Sequence, residues 1–247
     1  MRLFLLDKTY SGESLYQMKK REIQYLEKVL RLTPGTVFTA KDKDENYFEA
    51  TILPDGVLSL KPTENPEKTL LDSLSGYSGP FAPVDMYVSV LKGKKNESVV
   101  RALTEIGVRR IIFVESTFCQ EKTFSRHQKE RLETIVSEAV QQCGGRKPSL
   151  EGPVSFEEAV ERAEGRKIIL HQAVRERTLS IKEALGEKKD KIFVISAFVG
   201  PEGGFSDSEC LFAEKNGVLP VLLKTNILRA ETCSVYTAAV IQTFMHE

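Results

Sequence analysis

The chain has 247 residues, of which 35 are basic and 35 are acidic, and 41% are hydrophobic. This length suits one large domain or two smaller ones, and the hydrophobic content excludes a disordered chain. The balanced charge argues neither for nor against a nucleic-acid partner. No stretch approaches the roughly 18 apolar residues of a membrane span, and the N-terminus lacks a signal-peptide pattern. We therefore expect a cytoplasmic protein without membrane contact.

The cysteines and histidines do not form a metal-binding motif. The four cysteines include no C-x-x-C pair, and the three histidines are scattered along the chain, away from metal-ligand spacing. This pattern is typical of free thiols in a reducing compartment. We expect no metal site.

The first 70 residues predict a small β-rich unit. A short strand at RLFLL precedes a helix over Lys19–Arg31, which Pro34-Gly35 ends. The apolar face of this helix holds Ile23, Leu26, Val29 and Leu30. Three more strands follow at TVFTA, YFEATIL and VLSLKP, and Asp55-Gly56 between the last two is a strong hairpin signal. The pattern predicts a small barrel closed by a helix.

The rest of the chain predicts an α/β domain. Residues 72–83, rich in Ser, Gly and Pro, predict a linker. Five apolar runs then alternate with helical patterns, as in a parallel sheet covered on both faces. The runs are VDMYVSVL, RIIFVE, KIILHQ, KIFVISAFVG and VLPVLL, and the predicted helices cover residues 96–106, 127–142, 156–164, 180–185, 207–216 and 232–245.

A glycine-rich loop, VGPEGGFSDSE, follows the fourth of these runs. Ser206 and Glu209 form a capping box, which predicts a helix start and places the loop at the carboxyl end of a strand, where open α/β sheets bind ligands. The glycine spacing fits neither a Walker loop nor the dinucleotide motif. Because Glu202 would repel a phosphate, a cationic or neutral ligand fits better. A tight turn that needs glycine for positive φ is the alternative.

A second loop follows the fifth run, within LLKTNILRAETCSVYTAAV. Arg229 and Glu231 flank its connection to the last helix. They fit a surface ion pair beside a helix start. Loops at the carboxyl ends of neighbouring strands face a common crevice, however, and there Arg229 would meet two acids, Glu202 and Glu231.

The two loops together resemble a known family. VGPEGGFSDSE followed by NILRAETCSVYTAAV is similar to the motif pair of the bacterial uridine-N3 methyltransferases of small-subunit ribosomal RNA, which belong to the SPOUT class of S-adenosylmethionine (SAM) enzymes. The segments LKGKKNESVVRALTEIGVRRIIFVES, SEAVQQCGGR and EKVLRLTPGTVF extend the resemblance over nearly the whole chain. The chain departs from the family at Lys224 and Asn226, where Gly and Arg are usual.

The resemblance implies a fold and an activity. It implies a PUA-like β-barrel over residues 1–72, a SPOUT domain with a trefoil knot over residues 80–247, and a homodimer. The implied reaction is the SAM-dependent methylation of N3 of a specific uridine in 16S rRNA or in the small ribosomal subunit. Such a site needs a proton acceptor and a cation beside the uracil oxygens. Arg229 is the candidate cation, and Glu231 and Glu202 are the candidate proton acceptors or orienting groups.

The resemblance also implies residues that bind the cofactor and the RNA. The predicted SAM-binding residues lie in three loops: Leu170, His171, Val199, Gly200, Pro201, Glu202, Gly203, Gly204, Leu222, Leu223, Ile227 and Leu228. The predicted RNA contacts are Lys19, Lys20, Arg21, Arg31, Lys92 and Arg146. Because N3 lies on the pairing edge of uracil, the target base must be unpaired. Two alternatives stay open, a methyltransferase of transfer RNA and a catalytically silent RNA-binding protein with the same fold.

Overall fold

A computed structural model describes residues 3–64, 82–171, 178–186 and 194–246 of the chain. The chain divides into two units, Met1–Gly79 with Val140–Gly144 and Pro80–Ala139 with Gly145–Glu247. The predicted linker, up to residue 81, lies outside the described residues. The linker and the predicted domain boundaries therefore stay predictions.

The first unit is built on a five-stranded sheet. Its strands are β1 (Leu3–Leu5), β2 (Ser14–Gln17), β3 (Val37–Lys41), β4 (Tyr47–Leu53) and β5 (Val57–Thr63). Their order is β1-β3-β4-β5-β2, with β1 parallel to β3 and the other pairs antiparallel. Alternate residues of β4, namely Phe48, Ala50 and Ile52, are buried, because successive side chains of a strand point to opposite faces.

The Asp55-Gly56 hairpin is confirmed, whereas three expectations for this unit are corrected. Asp55 and Gly56 have φ of 61° and 71° between β4 and β5. Strand pairing among the described residues does not close into a barrel, because β1 and β2 stand at opposite edges of the order. The sequence did not indicate β2, since SLYQ lacks β-branched residues and buries only Tyr16.

The third correction concerns the helix predicted over Lys19–Arg31. Helix α1 covers only Lys20–Gln24 and continues as a π-helical turn, Tyr25–Val29, in which the Leu30 amide donates to the Tyr25 carbonyl at 3.0 Å. Arg31 then adopts the left-handed region at φ 54°, which ends the helical path. Leu26 is buried, as its place on the predicted apolar face requires.

The second unit contains a parallel six-stranded sheet, so the α/β class is confirmed. Its strands are β6 (Val84–Ser89), β7 (Arg110–Glu115), β8 (Ser149–Ser155), β9 (Arg166–Leu170), β10 (Ile195–Val199) and β11 (Leu219–Val221). Their order is β11-β9-β10-β6-β7-β8, and all neighbours are parallel. The central strands β6 and β10 are buried at every position, as expected for a parallel sheet covered on both faces.

Six helices accompany this sheet in the described part of the chain. They are α2 (Lys95–Ile106), α3 (Arg126–Cys143), α4 (Phe156–Arg162), α5 (Ile181–Leu185), α6 (Asp207–Lys215) and α7 (Ala230–His246). All six were predicted within a few residues. Helices α4 and α6 share a buried core with Tyr87 and Phe198, whose rings stack at 4.4 Å. Helix α7 packs on α2 and on strands β6 and β10. Among the described helices, none is long and apolar enough to cross a membrane.

The sheet differs from the prediction in two respects. It has six strands, whereas five were predicted. The edge strand β8, SLEGPVS, was not predicted because it is only partly buried and carries no apolar run. Strands β10 and β11 were expected to be neighbours, but β9 lies between them. The order of strands depends on contacts between distant segments, which a pattern of single runs does not contain.

We predict that alanine at Gly165 destabilises the fold more than alanine at Gly217. Both glycines have positive φ, 64° and 77°, immediately before β9 or close to β11. A Cβ at Gly165 would overlap the Val194 carbonyl oxygen, whereas one at Gly217 would have no described atom within 4 Å. The backbone strain is common to both variants, so the overlap should cost Gly165→Ala an additional 1–3 kcal/mol, roughly. Urea denaturation measures the difference, and equal free energies of unfolding would contradict it.

Candidate functional site

Three loops at the carboxyl edge of the parallel sheet enclose a cleft of about 570 Å³. They follow β9, β10 and β11 and contribute residues 170–171, 199–205 and 221–230 to the lining, apart from residue 224. These strands are consecutive in the sheet order, so their carboxyl ends meet at one place. All twelve residues predicted to bind the cofactor line this cleft. Their role in binding stays a prediction, but the structure places them together.

The three glycines of the loop after β10 serve different purposes. A Cβ at Gly200 would lie 3.0 Å from the Gly204 carbonyl carbon and 3.2 Å from the Phe205 nitrogen, so the loop folds tightly back on itself there. Gly204 has φ 73°, the left-handed region that favours glycine. Gly203 is covered by the side chain of Phe118, whose Cβ would lie 3.0 Å from an added Cβ. The need for positive φ therefore explains only Gly204.

The predicted capping box is confirmed, and its glutamate also joins a second loop. The Oε2 atom of Glu209 accepts from the amide and the hydroxyl of Ser206 at 2.7 and 2.8 Å. Its Oε1 atom accepts from the Thr117 amide, in the loop after β7, at 2.8 Å. Glu209 is only 5% exposed, and these donors satisfy the buried carboxylate. The glycine loop is thus fixed to the loop after β7.

A lysine that the sequence analysis did not single out connects the two predicted acids. Lys95, at the start of α2, lines the cleft and donates from Nζ to Glu202 Oε1 at 2.6 Å. The same Nζ lies 3.8 Å from Glu231 Oε2. Lys95 lies within LKGKKNESVVRALTEIGVRRIIFVES, a segment that carries part of the family resemblance, and that segment was the available signal in the sequence. One cation thus holds both carboxylates at the edge of the cleft.

The protonation states of Glu202 and Lys95 depend on each other. Burial raises the pKa of the Glu202 carboxyl, but hydrogen bonds from Lys95 and from the amides of Glu202 and Lys92 outweigh it, so this pKa lies below its usual value. The hydrogen bond to Glu202 raises the pKa of Lys95, while partial burial and the charge of Arg229 oppose this shift. At neutral pH the pair is therefore fully charged.

The structure brings together the three residues predicted to be catalytic. Arg229 is exposed and lines the cleft, and its charge acts on Lys95, which contacts both Glu202 and Glu231. The Oε2 atom of Glu231 is buried and has no hydrogen-bond partner among the described residues. Within the same residues, no group of His, Cys, Asp and Glu is arranged to hold a metal ion. The site is therefore one of mixed charge, in which Glu231 is less tightly paired with Lys95 than Glu202 is.

The six basic residues predicted to contact RNA are divided between the two units. Lys19, Lys20, Arg21 and Arg31 are exposed in the first unit, and Lys19 forms an ion pair of 2.6 Å with Asp7. Lys92 and Arg146 are exposed in the second unit. Lys92 lies close to the cleft, because its amide helps to lower the pKa of the Glu202 carboxyl. Contact with RNA stays a prediction for all six.

Fold and site define the class of protein. The second unit is a parallel α/β domain with a glycine-lined cleft at the carboxyl edge of its sheet. Arg229, Lys95 and two acids border this cleft. The arrangement is typical of a domain that binds a small ligand beside charged groups. The RNA methyltransferase domain family matches residues 78–242, which include the whole cleft. The chain therefore belongs to this family.

Relatives from several bacteria agree with this assignment. The ribosomal RNA small subunit methyltransferase E of Synechocystis is 26% identical over 236 residues, which cover 94% of this chain and 74% of that protein. The ribosomal RNA small subunit methyltransferase E 2 of Borreliella burgdorferi is 26% identical over 259 residues, covering 100% and 99% of the two chains. A methyltransferase structure from Legionella pneumophila, solved with bound SAM, shares the fold with a TM-score of 0.81, 23% identity and coverage of 98% and 97%.

We predict that Glu209→Gln destabilises the protein more than Glu183→Gln. Both glutamates complete a capping box, with Ser206 and Ser180, but Glu183 is exposed, and among the described residues its carboxylate accepts hydrogen bonds only from Ser180. In the Glu209 variant an amide NH₂ must face one of the buried N–H donors, which should cost about 1–3 kcal/mol. Chemical denaturation of both variants tests this, and a larger loss for Glu183→Gln would refute the assigned role of Glu209.

Proposed function

We propose that this chain uses SAM to methylate N3 of a uridine in 16S rRNA. The observation that carries the proposal is the convergence of Arg229, Glu202 and Glu231 beside the cleft of an RNA methyltransferase domain. Two relatives named as small-subunit ribosomal RNA methyltransferases support the substrate. The similar fold that was solved with bound SAM supports the cofactor.

The cleft suits SAM in size and in lining. Its volume of about 570 Å³ lies within the range of small-molecule sites. Leu170, Leu222 and Leu228 offer apolar surface for an adenine ring, and the glycine loop offers backbone groups without side chains in the way. The negative charge of Glu202, on which the preference for a cationic ligand rested, is paired with Lys95 in the structure. When bound, SAM supplies an electrophilic methyl group.

The charged residues around the cleft address the weak nucleophilicity of uracil N3. N3 becomes a good nucleophile only after it loses its proton, and the resulting charge spreads onto the neighbouring carbonyl oxygens. The guanidinium of Arg229 is permanently charged and can stabilise that anion. Glu231 lies near Arg229 in sequence and is less tightly paired with Lys95, at 3.8 Å, than Glu202 is at 2.6 Å, so we assign it the N3 proton. The lowered pKa of Glu202 suits an orienting role rather than that of a base.

The finer features implied by the sequence belong to the same proposal. We infer a PUA-like RNA-binding unit over residues 1–72 and a SPOUT domain with a trefoil knot over residues 80–247, in a cytoplasmic homodimer. Exposed basic side chains in the first unit, namely Lys20, Arg21 and Arg31, support its RNA-binding role. Membership of the second unit in the RNA methyltransferase family supports its catalytic role.

Two measurements test the proposed function. Calorimetry should detect SAM binding to the purified protein, and no binding at millimolar SAM would favour the silent RNA-binding alternative. Mass spectrometry of RNA from a deletion strain should show the loss of one N3-methyluridine from 16S rRNA. If every methyluridine of the ribosome persists and one is lost from transfer RNA, the enzyme class is right and the substrate is wrong.

We predict that Arg229→Ala lowers kcat by about 10²–10³-fold, because the uracil anion loses its cation. SAM affinity should change far less, since most of the predicted cofactor contacts lie elsewhere in the cleft. Lys224→Ala is the matched control, as Lys224 is an exposed cation of the same loop that does not line the cleft. Near-normal methylation by Arg229→Ala would remove this residue from the mechanism.

A further inference from the structure

Phe118 is an exposed aromatic side chain at the edge of the cleft. It is 51% exposed and lies in the loop between β7 and α3. Its Cβ and Cγ would lie 3.0 and 3.5 Å from a Cβ added to Gly203, a residue of the cleft lining. The absence of a side chain at Gly203 therefore lets Phe118 pack against the glycine loop.

The position of Phe118 is fixed by its neighbours. Ser116 and Cys119 are buried, and the Ser116 hydroxyl bonds to that of Ser89 at 2.9 Å. The Thr117 amide donates to the buried carboxylate of Glu209 at 2.8 Å. Ser116 and Cys119 are thus held in the protein interior and the backbone of the exposed Thr117 is fixed by Glu209, while the Phe118 side chain between them is half exposed. A loose loop end does not explain this exposure.

Positive side chains stand on the turn next to this loop. The Gly93 amide donates to Glu121 at 3.1 Å, which joins the loop of Phe118 to the turn that carries Lys92 and Lys94. Both lysines are exposed. An aromatic ring beside exposed cations is the arrangement by which proteins bind single-stranded nucleic acid, the ring stacking on a base and the cations facing phosphates. If the ring instead packed against another protein chain, that contact would not require the exposed lysines beside it.

We propose that Phe118 is a stacking platform for an unpaired RNA base next to the target uridine. The inference rests on the proposed function, since N3 is accessible only when the target base has left its pair and its stack. Leaving the stack exposes a face of the neighbouring base. The ring of Phe118, held against the glycine loop, covers such a face at the entrance to the cleft.

The test compares Phe118→Ala, Phe118→Leu and Phe118→Tyr with the wild type, on small ribosomal subunits from a deletion strain. Leu211→Ala is the matched control, because Leu211 is also 51% exposed and lies on α6, directly after the glycine loop. We expect Phe118→Ala to raise KM for the subunit by about 5- to 150-fold, the range that about 1–3 kcal/mol per stacked base gives. The Kd for SAM and the value for Leu211→Ala should stay within about twofold of the wild type.

The aromatic variant separates stacking from simple packing. Phe118→Tyr should restore the wild-type KM, whereas Phe118→Leu should remain close to Phe118→Ala. Equal KM values for the leucine and tyrosine variants, or a wild-type KM for Phe118→Ala, would overturn the proposal. Loss of the oligomeric state of Phe118→Ala in analytical ultracentrifugation would overturn it too, in favour of a second copy covering the ring. A wild-type protein that binds no SAM and methylates no subunit would refute the proposed function itself, and this inference with it.

Discussion

The carboxylate of Glu209 is the interaction on which the geometry of the cleft edge depends. It binds the start of helix α6 through Ser206 and the loop after β7 through the Thr117 amide. An almost fully buried carboxylate must be satisfied by donors, so all of these groups are held at fixed positions at once. The segment bound through Ser206 carries the glycine loop, and the segment bound through Thr117 carries Phe118. The two edges of the cleft entrance share a single anchor.

The parts of the fold that follow local rules were predictable from the sequence. The capping box at Ser206 and Glu209, the Asp55-Gly56 hairpin and the six helices of the second half all arise from residues close together in the chain. Strands β2 and β8 were not found, because edge strands that bury few side chains need no apolar run. The place of β9 between β10 and β11 depends on long-range pairing, which periodicity does not record.

The candidate site was predictable to the level of its loops, and less so for its charges. The glycine loop and the Arg229 loop each carry recognisable residues, and the structure brings them to one cleft. Lys95 was missed because it is 107 residues from Glu202 in sequence and stands on a helix rich in other charges. The buried Oε2 atom of Glu231, which accepts no hydrogen bond from the described residues, is likewise invisible in the sequence, because it depends on which donors the fold leaves out of reach. Phe118 carries no signal beyond its residue type.

The place of β9 between β11 and β10 couples ligand binding to the assembly of the sheet. Its loop contributes Leu170 and His171 to the cleft, and its two neighbours contribute the other two loops. A partly folded chain in which β9 has not yet paired on both sides therefore has no complete pocket. A ligand of this cleft binds only the finished sheet, and its binding free energy adds to the stability of that sheet. At a saturating ligand concentration, the fraction of molecules that bind the ligand is consequently the fraction that have completed folding.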